Sequence, residues 1–176
     1  MNAHEKEWLM YLSAIKSRLH QTTETWQQKA VTLRGKLPLD HRDISNTRTA
    51  VTVEIYIPSG WENALPKITP TATSIYKSEV DWHCFPDGSI CYLLNHAWLY
   101  HGLKMLEQFS RQETAVFMAN WACDAAALLL YRHKAGREMK LGKWPDHWAQ
   151  YKHGDKGVDQ FYTQYPDAGK YISEPA

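Results

Sequence analysis

Apolar positions recur at two different periods along this chain, and the change of period divides it into two halves. Over residues 4 to 20, Trp8, Leu9, Leu12, Ile15 and Leu19 return at helical spacing with Glu, Lys and Arg between them. That spacing predicts an amphipathic helix with one stripe turned to a core. The period then drops to two. In "AVTLRGKLPL", Val31, Leu33, Gly35 and Leu37 alternate with Thr32, Arg34 and Lys36. In "VTVEIYIP", Val51, Val53, Ile55 and Ile57 alternate with Thr52, Glu54 and Tyr56, and Pro58 closes the run. β-branched residues at alternate positions predict strands with one buried face. "KITPTATSIY" predicts a third strand or two short pieces, and the polar stretch "DHRDISNTRT" a turn region. Connections this short suit an antiparallel meander.

Beyond Cys91 the pattern is helical. Leu99, Leu103, Leu106 and Phe109 fall on one face. Ser110 and Glu113 have the spacing of a capping box, so a further helix starts there. It is expected to run to about Lys134, to stop at Gly136, and, being apolar almost all round, to be buried on most sides. The apolar run from Ala115 to Tyr131 contains Asn120 and Asp124, and a buried core helix accounts for it better than a membrane span. The segment "LGKWPDHWAQYKHGDKGVDQFYTQYP" is rich in Gly and aromatic residues and has room for one short helix. Strands and helices are thus segregated along the chain, which predicts an α+β fold. No repeat or linker interrupts the sequence, and one domain over residues 1–176 is expected.

Composition narrows the function classes. A net charge of +1 gives no electrostatic case for nucleic acid or a membrane surface. Eight Trp and ten Tyr among 176 residues favour a protein partner, since these side chains combine large area with a polar handle. The three cysteines are an odd number, and "MNAHEKEWLMYL" carries charge where a signal peptide needs an apolar run. A cytoplasmic protein with reduced thiols is the expectation.

The candidate chemistry lies in "WHCFPDGSICY", residues 82 to 92, where His83 adjoins Cys84 and Cys91 follows a turn. Three readings compete. His83, Cys84, Cys91 and His96 or His101 could ligate zinc, but the spacing is a poor match to zinc knuckles and there is no second Cys pair. No metal and no cofactor are therefore expected. The cysteines could simply pack as small hydrophobes, which suits Cys123 in its apolar helix and Cys84 beside Phe85. Cys91 differs from both. Pro86, Asp87 and Gly88 are turn formers, each by its own mechanism, and Ile90 anchors the chain one residue before the thiol. Such a loop can hold a nucleophilic cysteine accessible and close to backbone donors.

These residues resemble the active-site segment of the ubiquitin-conjugating enzyme family. "LPKITPTATSIY" stands for its proline-rich element, His83 for its motif histidine and "DGSIC" for the step that carries the catalytic thiol. The set is closest to bacterial members of the superfamily, which pair a Trp-His-x-x-x-Asp-Gly-x-x-Cys segment with a later Trp-Pro element and a His-Gly turn. Here "KWPDHW" and "HGDKGV" follow in that order, and the resemblance covers roughly residues 28 to 165. One departure stands out: the family's His-Pro-Asn tripeptide reads His83-Cys84-Phe85, so the Asn that supports the loop and the oxyanion is missing.

The resemblance implies a ubiquitin-conjugating-like fold and an acyltransferase with Cys91 as catalytic thiol. Cys91 would take a partner's C-terminal carboxyl group as a thioester, and a target lysine amine would attack to give an amide. Supporting roles fall to His83, Asp87, Asn95, His96 and His153: His83 as organiser of the loop, His153 as shaper of a turn packed near the site, Asn95 as a polar group close after the nucleophile, and His83, Asp87, His96 or His153 as a candidate to deprotonate the amine. A stand-alone conjugating protein of this length is similar to those of short CBASS antiphage-defence operons. The implied partner there is a cGAS/DncV-like nucleotidyltransferase (CD-NTase). Two alternatives stand beside this: a conjugating enzyme for a bacterial ubiquitin-like protein, and a non-catalytic module that uses the same fold to dock a partner.

Overall fold

A computed structural model describes residues 1–39, 49–71, 82–148 and 154–172. The chain opens with helix α1 (Ala3–Ser17), followed by strands β1 (His20–Gln27), β2 (Ala30–Leu37), β3 (Val51–Ile57) and β4 (Lys67–Pro70). Helices α2 (Asn95–Met105), α3 (Arg111–Glu138) and α4 (Gly154–Gln164) complete the order, with short 3-10 turns at Asp146–Trp148 and Ala168–Lys170. The architecture is α+β: one N-terminal helix, a four-stranded antiparallel sheet, then helices.

The sheet is a meander in the order β1-β2-β3-β4. Pairing of Val31 with Ile57, Leu33 with Ile55, Gly35 with Val53 and Leu37 with Val51 brings the two alternating sets into register. These apolar residues therefore share one face, where each is at most 7% exposed. A slip of one residue would turn the whole set to solvent, so the alternation itself defines the register. β1 was not apparent from the hydropathy pattern. His20–Gln27 is an edge strand with exposed or half-buried positions throughout, and Thr and Gln carry no apolar alternation. It also shortens α1. The helix ends at Ser17, and Leu19, expected on its stripe, is instead buried where the chain turns into the sheet. Leu9 is 44% exposed, and the buried stripe is Glu7, Tyr11, Leu12 and Ile15. Of "KITPTATSIY", Lys67–Pro70 forms β4, and residues 72–76 lie outside the described residues.

α3 is the central element. Its start is the expected capping box: the Glu113 amide donates to Ser110 Oγ at 3.1 Å, and the Ser110 amide to Glu113 Oε2 at 3.0 Å. Ala115, Met118, Ala119, Ala122, Cys123, Ala126, Ala127, Leu129 and Leu130 are buried in the core that α3 shares with the sheet, and small residues there let α1 approach closely. Among the described residues α3 is the one helix long and apolar enough to cross a membrane by length and composition. It is not covered all round, however: Phe117, Leu128 and Tyr131 form an exposed stripe.

Gly136 does not end this helix. α3 runs through it to Glu138, because Trp82 packs against the glycine so closely that a Cβ would lie 2.8 Å from the indole Cζ3. The residue is a notch for an aromatic ring. Gly102 does the same in α2 for Trp61, with a Cβ-to-ring distance of 2.5 Å. The buried face of α2 is Ala97, Trp98, Tyr100 and Gly102, whereas Phe109 lies beyond the helix and is 48% exposed. The Leu99, Leu103, Leu106 and Phe109 stripe is thus only half-buried at best, since the aromatic residues take the inner positions.

Polar ties fix α1 to α3. Arg111 donates from Nε to Glu7 Oε1 at 2.6 Å and from a terminal nitrogen to Glu62 Oε1 at 3.0 Å. Arg18 pairs with Asp124 and donates to Asn120 Oδ1 at 3.1 Å. A smaller apolar cluster of Ala97, Tyr100, Phe161, Ala168 and Ile172 holds α4 and the chain after it against α2.

Candidate active site around Cys91

The turn residues behave as their chemistry dictates. The Asp87 carboxylate accepts from the Ser89 amide at 2.9 Å and from Ser89 Oγ at 2.6 Å, an Asx turn. Gly88 takes φ +89° and donates its amide to Phe85 O at 2.9 Å. The two arms then close. Phe85 N donates to Ser89 O at 2.8 Å, Cys84 bridges Ile90, and Cys91 N donates to His83 O at 2.7 Å. Ile90 N also reaches Ile68 O at 2.9 Å, which docks the clasp on β4. Lys67 Nζ pairs with Asp87 Oδ2 at 2.5 Å and ties the strand to the turn a second time.

Alternation in this clasp separates the two cysteines. Cys84 and Ile90 are 1% and 3% exposed, while Cys91, one residue further, is half-buried. Cys91 lines an open cavity of about 680 Å³. Leu65, Pro66 and Lys67 form one wall, Phe85, Pro86 and Asp87 another, and Leu93, Leu94 and Asn95 continue from the thiol into α2. Gly154, at the start of α4, closes the rim with φ +62°. Tyr92 turns inward beside the thiol and donates its hydroxyl to Pro66 O. Leu94 is the N-cap of α2 and supplies no side-chain acceptor, so the first amides of that helix have no side-chain cap at the edge of the cavity.

The five supporting candidates separate. Asp87 and Asn95 line the cavity with Cys91. Asn95 Oδ1 accepts from the Leu65 amide at 3.4 Å, which leaves Nδ2 as the donor end of the amide. Lys67, and after it Ser89, hold the Asp87 carboxyl well below the usual carboxylate range. His83 contributes its carbonyl to the clasp. Its backbone is left-handed at φ +57°, and its buried ring packs edge-on against Trp144 with centroids 4.9 Å apart. It is absent from the cavity wall. His96 is likewise turned away, against Phe161 and Tyr162 at 6.1 and 5.9 Å. His153 lies outside the described residues.

Cys84 belongs to a different environment. Its thiol donates to Trp82 O and lies 3.7 Å from His133 Nε2, behind the rings of Trp82 and Trp144. Burial, with a smaller contribution from Cys91, pushes the Cys84 thiol up to about 12. Burial also pushes His133 down to about 4. Cys123 is 1% exposed and also pushed up to about 12 by burial. Cys91 is raised as well, again by burial. Among the described residues no three His, Cys, Asp or Glu side chains form a group that could hold a metal ion. His101, a possible zinc ligand by sequence, sits among the rings of Tyr100, Trp121 and Tyr165.

Lys67 and His133 carried no sequence signal. "LPKITP" gives no hint that its lysine meets a turn far downstream, and His133 is one polar residue at the end of an apolar helix. Fold and site together define an α+β protein with one accessible thiol beside the last strand of an antiparallel sheet. No protein-family model, no curated protein and no solved structure matches this chain.

Proposed function

We propose that the protein is a ubiquitin-conjugating-like acyltransferase that carries a partner's C-terminal carboxyl group as a thioester on Cys91. The observation that carries this reading is the contrast among the three cysteines: Cys84 and Cys123 are each 1% exposed, and Cys91 opens on a cavity. A thioester carrier needs a thiol that a second protein can reach and space for the acyl chain. The order of helix, antiparallel meander, cysteine loop and helices supports the same reading, as do the "WHCFPDGSICY", "KWPDHW" and "HGDKGV" segments.

In the first step the Cys91 thiolate attacks the activated carbonyl and expels its leaving group. In the second a lysine amine attacks the thioester and expels the thiolate. Both pass through a tetrahedral oxyanion that needs donors already in place. The Asn absent from the His83-Cys84-Phe85 segment would be replaced by groups at the start of α2, namely the Asn95 side chain and the first helical amides. Because burial raises the Cys91 thiol, little thiolate exists at neutral pH. Attack then depends on the partner holding its carbonyl against the sulfur.

The partner is a protein C-terminus, with target lysines as acceptors, in a reducing cytoplasm. By its resemblance to the stand-alone proteins of short CBASS operons, the donor is a CD-NTase and the setting antiphage defence. A neighbouring nucleotidyltransferase gene supports that donor, and a neighbouring ubiquitin-like gene points to the other conjugating class. The direct test mixes the protein with its partner and resolves the products on non-reducing gels. Wild type gives a thiol-labile adduct and Cys91→Ala gives none. An adduct that survives Cys91→Ala and disappears with Cys84→Ala refutes the assignment.

A second reading, a non-catalytic docking module on the same fold, is favoured by the half-buried setting of the Cys91 thiol, which raises it above its ordinary range and so opposes its ionisation. Stable, non-covalent binding of the partner that is unaffected by Cys91→Ala would support it.

A further inference from the structure

Cys91 shares its cavity with an amine. Lys67 lines the same wall, at the first position of β4, and its ammonium rests on Asp87 at the rim. Backbone geometry keeps the two residues together. The Ile90 amide bonds to Ile68 O at 2.9 Å, so the cysteine segment meets β4 within hydrogen-bonding distance at this point. Lys67 and Cys91 are the sequence neighbours of the two bonded residues, and both line the cavity. A lysine side chain easily spans such a gap, and the Lys67 side chain is 53% exposed and able to swing.

We propose that Lys67 is a modification site of the protein itself: an acyl group held as a thioester on Cys91 passes to the Lys67 amine within the same molecule. The proposal rests on the thioester reading above and names an acceptor for it. The chemistry balances without an oxidant or cofactor. Lys67 loses a proton to solvent, and the neutral nitrogen attacks the thioester carbonyl. The C–S bond breaks, the C–N bond forms, and the departing Cys91 thiolate is reprotonated. The products are an amide on Lys67 and a free thiol on Cys91. Amide formation removes the lysine charge, ends the pair with Asp87 and leaves the acyl chain lying across the cavity. The self-acylated protein is therefore a closed form, unable to accept a second donor.

Asp87 bears on the rate. Its carboxylate is exposed and holds the ammonium at the rim, so an external amine competes with Lys67 only while the ion pair lasts. Lys143 and Lys170 are also exposed but do not line the cavity, and they serve as internal controls.

The test uses a small donor, the thioester of N-acetylglycine with 2-mercaptoethanesulfonate, on the full-length protein. Intact mass before and after hydroxylamine separates the labile adduct on Cys91 from a stable amide, and peptide mapping locates the amide. The expected result is a stable adduct on Lys67 formed at least about tenfold faster than on Lys143 or Lys170, because the reaction is intramolecular. Cys91→Ala lowers Lys67 acylation to the rate of the control lysines. Lys67→Arg, which keeps the charge facing Asp87, removes the stable adduct while the labile one still forms. A labile adduct on Cys91 with Lys67 acylated no faster than the controls overturns the proposal and leaves the thioester reading standing. Lys67 acylation undiminished in Cys91→Ala overturns it too. Absence of any labile adduct overturns both.

Discussion

Cys84 and Cys91 flank the same turn and differ in almost every physical respect. Cys84 faces the core, in contact with His133 and closed in by Trp82 and Trp144, while Cys91 faces a cavity of about 680 Å³. The two positions share a sequence neighbourhood, so composition cannot account for the contrast. It follows from the pairing of the clasp. Once Cys84 bridges Ile90, the residue after Ile90 must point to the other side. Reactivity is decided by the side of the ladder on which a residue falls.

The largest expected effect is on thiol accessibility. Iodoacetamide should label Cys91 in the native protein more than about 10³-fold faster than Cys84 or Cys123, since a buried thiol reacts only when the structure opens. The Cys91 rate should keep rising through pH 8 and 9 without a plateau, because burial holds its ionisation above the ordinary thiol range. Equal labelling of Cys84 and Cys91, followed by mass spectrometry, would break the comparison.

Next in size is the pH response of the closed side. His133 is pushed from 6.5 to about 4 by burial, so between those values the unfolded chain binds a proton that the folded chain does not. Stability should therefore fall as pH drops from 6.5 to 4, and this group should add no further slope below that. The difference of pKa corresponds to about 3 kcal/mol. Urea melts of wild type and His133→Gln across this range isolate the contribution. Parallel curves for the two proteins would mean that His133 is not sealed.

Smallest is the packing behind Cys84. Gly136→Ala places a methyl 2.8 Å from Trp82 and should cost about 1–3 kcal/mol, as overpacking does. The open side should hardly notice. Cys91 alkylation in this variant should stay near the wild-type rate under conditions where both proteins are folded. A large rise would show that the two sides are mechanically coupled.

Several features are legible in the residues themselves. Val51 to Ile57 alternates so cleanly that the strand, its buried face and its end at Pro58 follow from the residues. Ser110 and Glu113 announce the start of α3, and "PDGS" announces its turn. Each of these signals acts within a few residues. What was not legible depends on partners far along the chain. β1 carries no apolar alternation and exists because β2 has an open edge to pair with. Gly136 has the composition of a helix stop, and only Trp82, brought over from the loop, makes it a notch. His83 and His96 stand beside the cysteine in sequence, yet their rings are claimed by Trp144 and by α4.

From sequence alone came the segregation of strands and helices, the meander, the capped central helix and a cysteine after a turn. Hydrophobic period and turn chemistry are local properties that survive in one dimension. Tertiary structure alone decided which cysteine is open, that Asp87 and Asn95 join it in a cavity, and that Lys67 waits at the rim. Those outcomes depend on which face of a bridged loop meets the core and on what β4 carries past it. Burial and long-range pairing are set by the whole fold, not by any stretch of eleven residues.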